Sequence, residues 1–369
     1  MKIGKKLISN LLLILVIFIS PSGVYALDKA KPDIFITLKT EYNDNIFFET
    51  EPKAEFITTI IPGINTKIIA QKWLSEIDYR VKFLDYKDIK QKSVQHNLNL
   101  TGWHRFSNKL ILSIQGNFIE DKEETLEEDF SVTRREYLKQ TFDTTIKFIS
   151  PKPPLETNIK YQYEDFNFRK KDENDSKENR ILFDIYYTLT KRLKTGLVYQ
   201  DKKRAYKNSS NQNIDSLGVG IKYELSPEIN SELIVKLENR KVAGGDSHSF
   251  AFTTNFNRQI NQKTSLNLTF GKDTNFTRSV IEPVEVKMAK IGLYRRLNRK
   301  TNFNLNFTSM KGNWEDSTRE DKLQAISSGL SYQLTKKISF DLNYNATHRK
   351  SNIEESRKNN VYTFTIQQF

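Results

Sequence analysis

The sequence predicts an all-β protein, a transmembrane antiparallel up-and-down β-barrel of about eighteen strands, with sixteen as the alternative. Three observations carry that prediction. Short polar turns recur about every 35–37 residues, the length of one strand–turn–strand–loop unit. Strict period-two alternation follows each of the clearest turns: LKTGLVY after Thr190-Lys191-Arg192, INSELIV after Ser226-Pro227-Glu228 and TSLNLTF after Asn261-Gln262-Lys263. TNFNLNF after Asn298-Arg299-Lys300 and ISFDLNY after Thr335-Lys336-Lys337 complete the set. The mean hydropathy of −0.61 and 28% charged residues would fit a soluble protein, but a membrane barrel hides its hydrophobicity in alternate positions.

The N-terminus reads as a secretory signal peptide over residues 1–26. Lys2, Lys5 and Lys6 form a basic start, residues 11–19 an apolar run too short to span a bilayer, and Val24-Tyr25-Ala26 a cleavage site. No Cys follows, which argues against a lipid anchor, and residues 27–369 read as one outer-membrane β-barrel domain. Without Cys there are no disulfides, so stability must come from a closed, hydrogen-bonded wall. The formal charge is +13 for the whole chain and about +10 without the three leader lysines. Charge spread so evenly on an exported chain argues against nucleic acid and fits solvated loops or a cationic channel that favours anions.

Turns lie near residues 71, 108, 152, 191, 227, 262, 299 and 336. Two strands flank each, and residues 33–42 and 359–369 add one strand at either end. An even total puts both termini on the turn side, which is periplasmic in bacterial barrels. Ile77, Tyr79, Val81 and Phe83 alternate with Glu76, Asp78, Arg80 and Lys82. Ile159, Tyr161 and Tyr163 alternate with Asn158, Lys160, Gln162 and Glu164, and Phe303, Leu305 and Phe307 with Asn302, Asn304 and Asn306. Eighteen strands enclose too wide an interior to fill with side chains, so the polar face lines water and the apolar face meets lipid. Residues 54–69 and 284–297 carry apolar residues in both phases, and their facing stays open.

Tyr187, Tyr223, Phe256, Tyr294 and Tyr332 precede the turns, while Tyr199, Phe270, Phe307 and Tyr344 stand toward the other end: two aromatic belts. Loops on the second side fall near 43–53, 87–92, 120–134, 166–178, 202–212, 240–248, 273–283, 312–321 and 350–358. None is long enough for a folded plug.

The polar face supplies the candidate site. Pore-lining candidates are Glu76, Asp78, Arg80, Lys82, Lys139, Asp143, Lys160, Glu164, Lys194, Lys222, Glu232 and Lys236, joined by Asn304 and Asn343 where charge gives way to neutral polar residues. A mixed wall suits a general or carbohydrate path better than a tight ion filter, and structural pairing of charges across the lumen is an equal alternative. Catalysis finds little footing. Gly245-Asp246-Ser247-His248-Ser249 juxtaposes triad residue types, but sequence neighbours do not make a triad. No zinc or nucleophile-elbow motif is present, and no cofactor is expected. The acidic segment EDKEETLEED at 120–129 matches no Ca²⁺ loop and reads first as a solvated loop, with divalent-cation binding at the lipopolysaccharide surface or an inward-folded constriction as the alternatives.

Glu41-Tyr42-Asn43-Asp44-Asn45-Ile46-Phe47, followed by Ile61-Pro62-Gly63-Ile64, resembles the opening of the Putative beta-barrel porin 2 family, and with the hairpin count the resemblance covers nearly all of residues 27–369. By themselves the first of these residues read as the first loop hairpin, since an Asn-Asp-Asn turn tolerates left-handed backbone. The resemblance implies an outer-membrane conduit of a Gram-negative bacterium, passing or exporting polysaccharide with a periplasmic polysaccharide-export protein. A general small-solute porin and a blocked structural or surface-binding barrel are the alternatives. Lipid, lipopolysaccharide and the barrel-assembly machinery are the remaining expected partners. Phe369 fits a terminal assembly signal, but Tyr362, Phe364 and Ile366 are one residue out of phase with it, which a terminal bulge would reconcile.

Overall fold

The computed structural model describes residues 32–121, 136–168, 175–207, 210–242, 245–276, 283–314 and 317–369. The leader at 1–26 and nearly all of the acidic segment at 120–129 lie outside the described residues. The strands are β1 (Pro32–Asn43), β2 (Glu55–Ala70), β3 (Trp73–Tyr86), β4 (Gln91–Arg105), β5 (Leu110–Asp121), β6 (Tyr137–Pro151), β7 (Pro154–Phe168), β8 (Ser176–Thr188), β9 (Leu193–Tyr206), β10 (Gln212–Ser226), β11 (Ile229–Val242), β12 (Gly245–Asn261), β13 (Thr264–Phe276), β14 (Pro283–Arg296), β15 (Thr301–Trp314), β16 (Glu320–Gln333), β17 (Ile338–Ser351) and β18 (Arg357–Gln368). Consecutive strands pair antiparallel, and β18 returns to β1, so all eighteen close into one barrel. Closure leaves no sheet edge, the condition for β structure in lipid. Both ends of the sheet lie on the short-turn side, since Pro32 pairs with Thr66 and Gln368 with Ile338.

The alternation sorts the wall as expected. Leu197, Tyr199, Leu217, Val219, Leu342 and Phe364 are apolar yet exposed on the outer face. Their neighbours in sequence point into the barrel. The strands are longer than expected, from 12 residues in β1 to 17 in β12. Parts of the loops placed at 166–178, 202–212, 240–248, 273–283 and 312–321 are therefore strand. Those segments are rich in charge, and the charge faces a lumen in which acids and bases meet.

The two ambiguous segments owe their double apolar phase to inward-facing clusters near the loop end. Val284 and Val286 of β14 pack with Met310, Trp314 and Leu323, and Ile57 of β2 packs with Ile46, Leu84 and Tyr86. Two expectations fail. Tyr294 pairs with Ser265 and Asn304 on the lumen face and donates to Asn302 Oδ1 at 2.8 Å, so it belongs to the inner wall rather than an outer belt. No bulge reconciles Phe369. The registers of β18 with β17 and β1 run without a shift, and the Phe369 ring sits 6.3 Å from that of Phe35, a lumen-facing residue.

The seam between β12 and β13 is incomplete near the loop end. β12 and β13 pair only as far as Phe252 and Lys272. Beyond that point residues 245–251 pair with β11 alone and residues 273–276 with β14 alone.

Candidate functional site

All fourteen predicted lining residues fall on the lumen face, most of them already engaged. In β3 the Asp78 carboxylate accepts from Arg80 Nε at 2.7 Å and Nη2 at 2.9 Å, and Glu76 accepts from Asn65 Nδ2 at 2.9 Å. Lys82 meets Asp121 at 2.9 Å and Lys139 meets Glu164 at 2.9 Å. Lys194 reaches Glu156 at 2.7 Å, which Lys147 also contacts at 2.8 Å. Lys222 faces Glu232 at 3.7 Å. Asp143 pairs with Gln115 and Gln162, Lys160 with Thr145 and Leu182. Asn304 and Asn343 flank Gly329, whose missing side chain leaves room for both amides. Acids and bases meet along the wall within one strand (Asp78 with Arg80), on adjacent strands (Lys139 with Glu164) and across one intervening strand (Lys82 with Asp121, Lys194 with Glu156).

Sequence reasoning missed the densest part, where β8, β9, β11 and β13 meet. Arg204 donates to Glu178 Oε2 from Nε at 2.9 Å and Nη2 at 2.6 Å, and Arg180 donates to Glu178 Oε1 at 2.9 Å. Lys202 and Lys236 both reach Asp273, at 3.2 Å and 3.3 Å. Thr274 donates to Glu238 Oε2 at 2.6 Å. The end of β13 has lost β12 as a neighbour, so every second carbonyl there needs another donor. Lys202 Nζ supplies one to the Thr274 carbonyl at 3.1 Å, and Arg204 Nη1 one to that of Phe276 at 3.2 Å. Cations of β9 thus replace the missing strand. Extending the parity of Lys194 and Gln200 through Lys202 and Arg204 would have found them; reading a charged run as loop hid them.

A cavity of about 220 Å³ opens beside this network. It is lined by the charged Glu178, Arg180, Lys202, Arg204 and Lys290, by Asn275, and by Phe276, Val286, Met288 and Met310. The lining is therefore mixed, charged and apolar.

Ser247 and His248 are not brought together: Ser247 pairs with Arg240 on the lumen face, and His248 takes the opposite face with Asn239. His96 packs on Tyr79, its Nδ1 2.9 Å from the phenol oxygen, and His348 Nε2 lies 2.9 Å from Ser356 Oγ, both on the outer face.

The fold is that of outer-membrane porins. OpdK of Pseudomonas aeruginosa, solved with vanillate, superposes with a TM-score of 0.52 at 10% identity, covering 91% of this chain and 98% of that one. OccK2 (OpdF) of the same organism, solved with glucuronate, gives 0.53 at 9% identity, covering 92% and 98%. No curated protein matches the sequence. The family model described as Putative beta-barrel porin 2 matches residues 31–367, and the chain belongs to that family.

Proposed function

We propose that this barrel is a porin for small solutes in the outer membrane, with its short turns in the periplasm, and that it works without catalysis. The observation that carries the reading is the division of the lumen. The turn half is lined by Asn, Ser, Thr and paired charges, whereas the loop half carries the β9–β13 ion network and the packed Val286–Met310–Trp314 cluster. Such a wall replaces part of a small solute's hydration as it passes. A polysaccharide would need a continuous polar track of its own width, and packed apolar side chains at one end do not offer one. The similar barrels solved with vanillate and glucuronate support small acids over polymer export.

The test is conductance of the refolded chain without residues 1–26 in a planar bilayer under a salt gradient, with swelling of proteoliposomes in a graded series of sugars. Ohmic steps and a sharp size cut-off below an oligosaccharide are expected. Passage of long glycans at rates comparable to monosaccharides would overturn the reading in favour of polysaccharide export.

A further inference from the structure

We propose that the outer face of β13–β17, at the loop end, binds the phosphorylated head group of a lipid in the outer leaflet. The proposal takes from the reading above only that the loops face outward from an outer membrane, and it is independent of what crosses the lumen.

Register is the first argument. Lys272 on β13 stands opposite Lys287 on β14, Lys287 opposite Lys311 on β15, Lys311 opposite Lys322 on β16 and Lys322 opposite Lys350 on β17. These lysines share parity with the exposed Phe270, Ile291, Leu305, Ile326 and Leu342, so they form one row on the lipid side of the wall. The row crosses successive strand spacings that sum to roughly 19 Å. Like charges directly opposite one another destabilise a sheet, so an unbroken row of them calls for anions. Two carboxylates of the chain answer in part. Glu285 contacts Lys272 at 2.8 Å and Lys287 at 3.7 Å, and Glu320 contacts Lys311 at 2.7 Å and Lys322 at 3.3 Å. Lys350, and Lys358 of β18 opposite His348, pair with no acid among the described residues. Glu354 in the loop above them is taken by Arg319, Arg349 and Arg357, and the exposed Glu355 beside it reaches neither lysine within ion-pair distance. Lys287 and Lys322 keep 54% and 59% of their side-chain exposure and Lys350 is exposed too, so an anion can reach all three.

Position is the second. The row stands one to three outward-facing residues beyond Phe270, Ala289, Phe307, Ile326 and Tyr344, on the loop side of the apolar band. A lipid whose chains lie along that band brings its head group level with the lysines, and the lysine stems follow the apolar surface up to it. A soluble anion gains nothing from the apolar neighbours. Lysine offers a compact point charge with three donors, which suits phosphate oxygens arriving from several directions. Among the described residues the opposite side of the barrel has no such row. Beyond Tyr199 and Leu217 the outward charges there are of both signs: Asp201 pairs with Lys203 at 2.8 Å and stands opposite Asp215, and Lys241 stands opposite Asp246. The cationic surface therefore belongs to one side of the barrel.

Native mass spectrometry of the refolded barrel without residues 1–26, in non-ionic detergent, tests the surface with bisphosphorylated lipid A, the same lipid stripped of its phosphates, and inorganic phosphate. Bilayer conductance is recorded on the same preparation. The bisphosphorylated lipid should be retained at least about tenfold more tightly than the stripped one, and millimolar inorganic phosphate should not displace it. Lys322→Gln combined with Lys350→Gln should weaken the bisphosphorylated lipid at least about tenfold, while Lys203→Gln combined with Lys241→Gln, on the opposite side, should leave it within about twofold. The temperature at which heat-modifiable gel mobility is lost gives a second readout. Without lipid the Lys322 and Lys350 double variant should melt no lower than wild type, because repulsion is relieved, and only wild type should gain from added bisphosphorylated lipid. Lys287→Gln carries the test, with a weakening of at least about threefold, if the double variant does not fold. Equal retention of the two lipids, displacement by inorganic phosphate, or full binding by the folded variant would overturn the site. A conducting barrel that ignores the lipid phosphates loses the surface and keeps the porin; a silent barrel that holds them does the reverse.

Discussion

Lys202 on β9 and Asp273 on β13 meet at 3.2 Å although three strands stand between them in the wall. Four inter-strand steps amount to roughly 19 Å along a sheet, further than these two side chains reach together. The end of β13 must therefore bend inward, and it does so where its pairing with β12 stops. Replacing Asp273 with Ala removes the acid that both Lys202 and Lys236 contact. We expect a loss of about 3–5 kcal/mol, the usual consequence of stranding buried charge. We also expect a larger single-channel conductance, because the bent end loses its anchor. Conductance equal to wild type in a folded variant would show that this end does not set the constriction.

The facing of the wall makes a sharper comparison on neighbouring residues. Leu268 points outward, opposite Phe256 and Ile291, while Asn267 points inward opposite Asn257 and Gly292. Leu268→Arg should impair assembly into vesicles, since a lipid-facing Arg costs roughly 2–4 kcal/mol at mid-bilayer. Asn267→Arg should assemble normally and alter ion preference. Folded yield by gel mobility reads both, and equal yields would reverse the assignment.

The barrel was legible in the sequence because period two survives in nearly every hairpin; β3 spans Trp73–Tyr86, the same bounds that alternation alone indicates. The face on which the polar candidates stand followed from parity. The closed end did not, for two physical reasons. Alternation identifies a face by contrast, and contrast vanishes where lumen residues are apolar, as at Val284, Val286 and Met288. Charge marks exposure only while it is unpaired, so Lys202, Arg204 and Glu178, buried against each other, looked like solvated loop. Contacts between β9 and β13 depend on the bend in β13, and no local pattern records a bend.

Tyr186 illustrates a packing dependence. Its ring is buried on the lumen side, Lys222 Nζ lies 3.8 Å from the ring centre, and its hydroxyl fills the space above Gly220. Any side chain at Gly220 would collide with that ring. Gly220→Ala should destabilise by about 1–3 kcal/mol through overpacking. In a Tyr186→Ala background the same change should cost far less, because the obstacle has gone. Urea midpoints of the four proteins measure the coupling; additive effects would mean that the two residues do not compete for space.

The residues that carry the family resemblance close the barrel. Asp44 accepts from the Asn360 backbone and side-chain nitrogens, both at 2.6 Å, and its own N–H donates to the Asn360 carbonyl at 3.0 Å. Asn45 adds a bridge, donating to the carbonyls of Glu49 at 2.7 Å and Lys358 at 2.8 Å. The first loop is thereby latched to the last hairpin, beside the β1–β18 seam that joins the two ends of the sheet. That seam spans the largest sequence separation in the molecule, and such contacts form late and at the greatest entropic cost. Asp44→Ala should lower stability by about 1–3 kcal/mol and slow refolding into vesicles. Thr190 is the control: its hydroxyl accepts from Arg192 and Leu193 within one short turn, at 3.2 Å and 3.0 Å. Thr190→Ala also removes a side-chain acceptor but leaves the seam intact, so its folding rate should stay near wild type. Equal slowing in both variants would mean that the Asn-Asp-Asn turn is an ordinary loop and that closure is secured by the β1–β18 ladder alone.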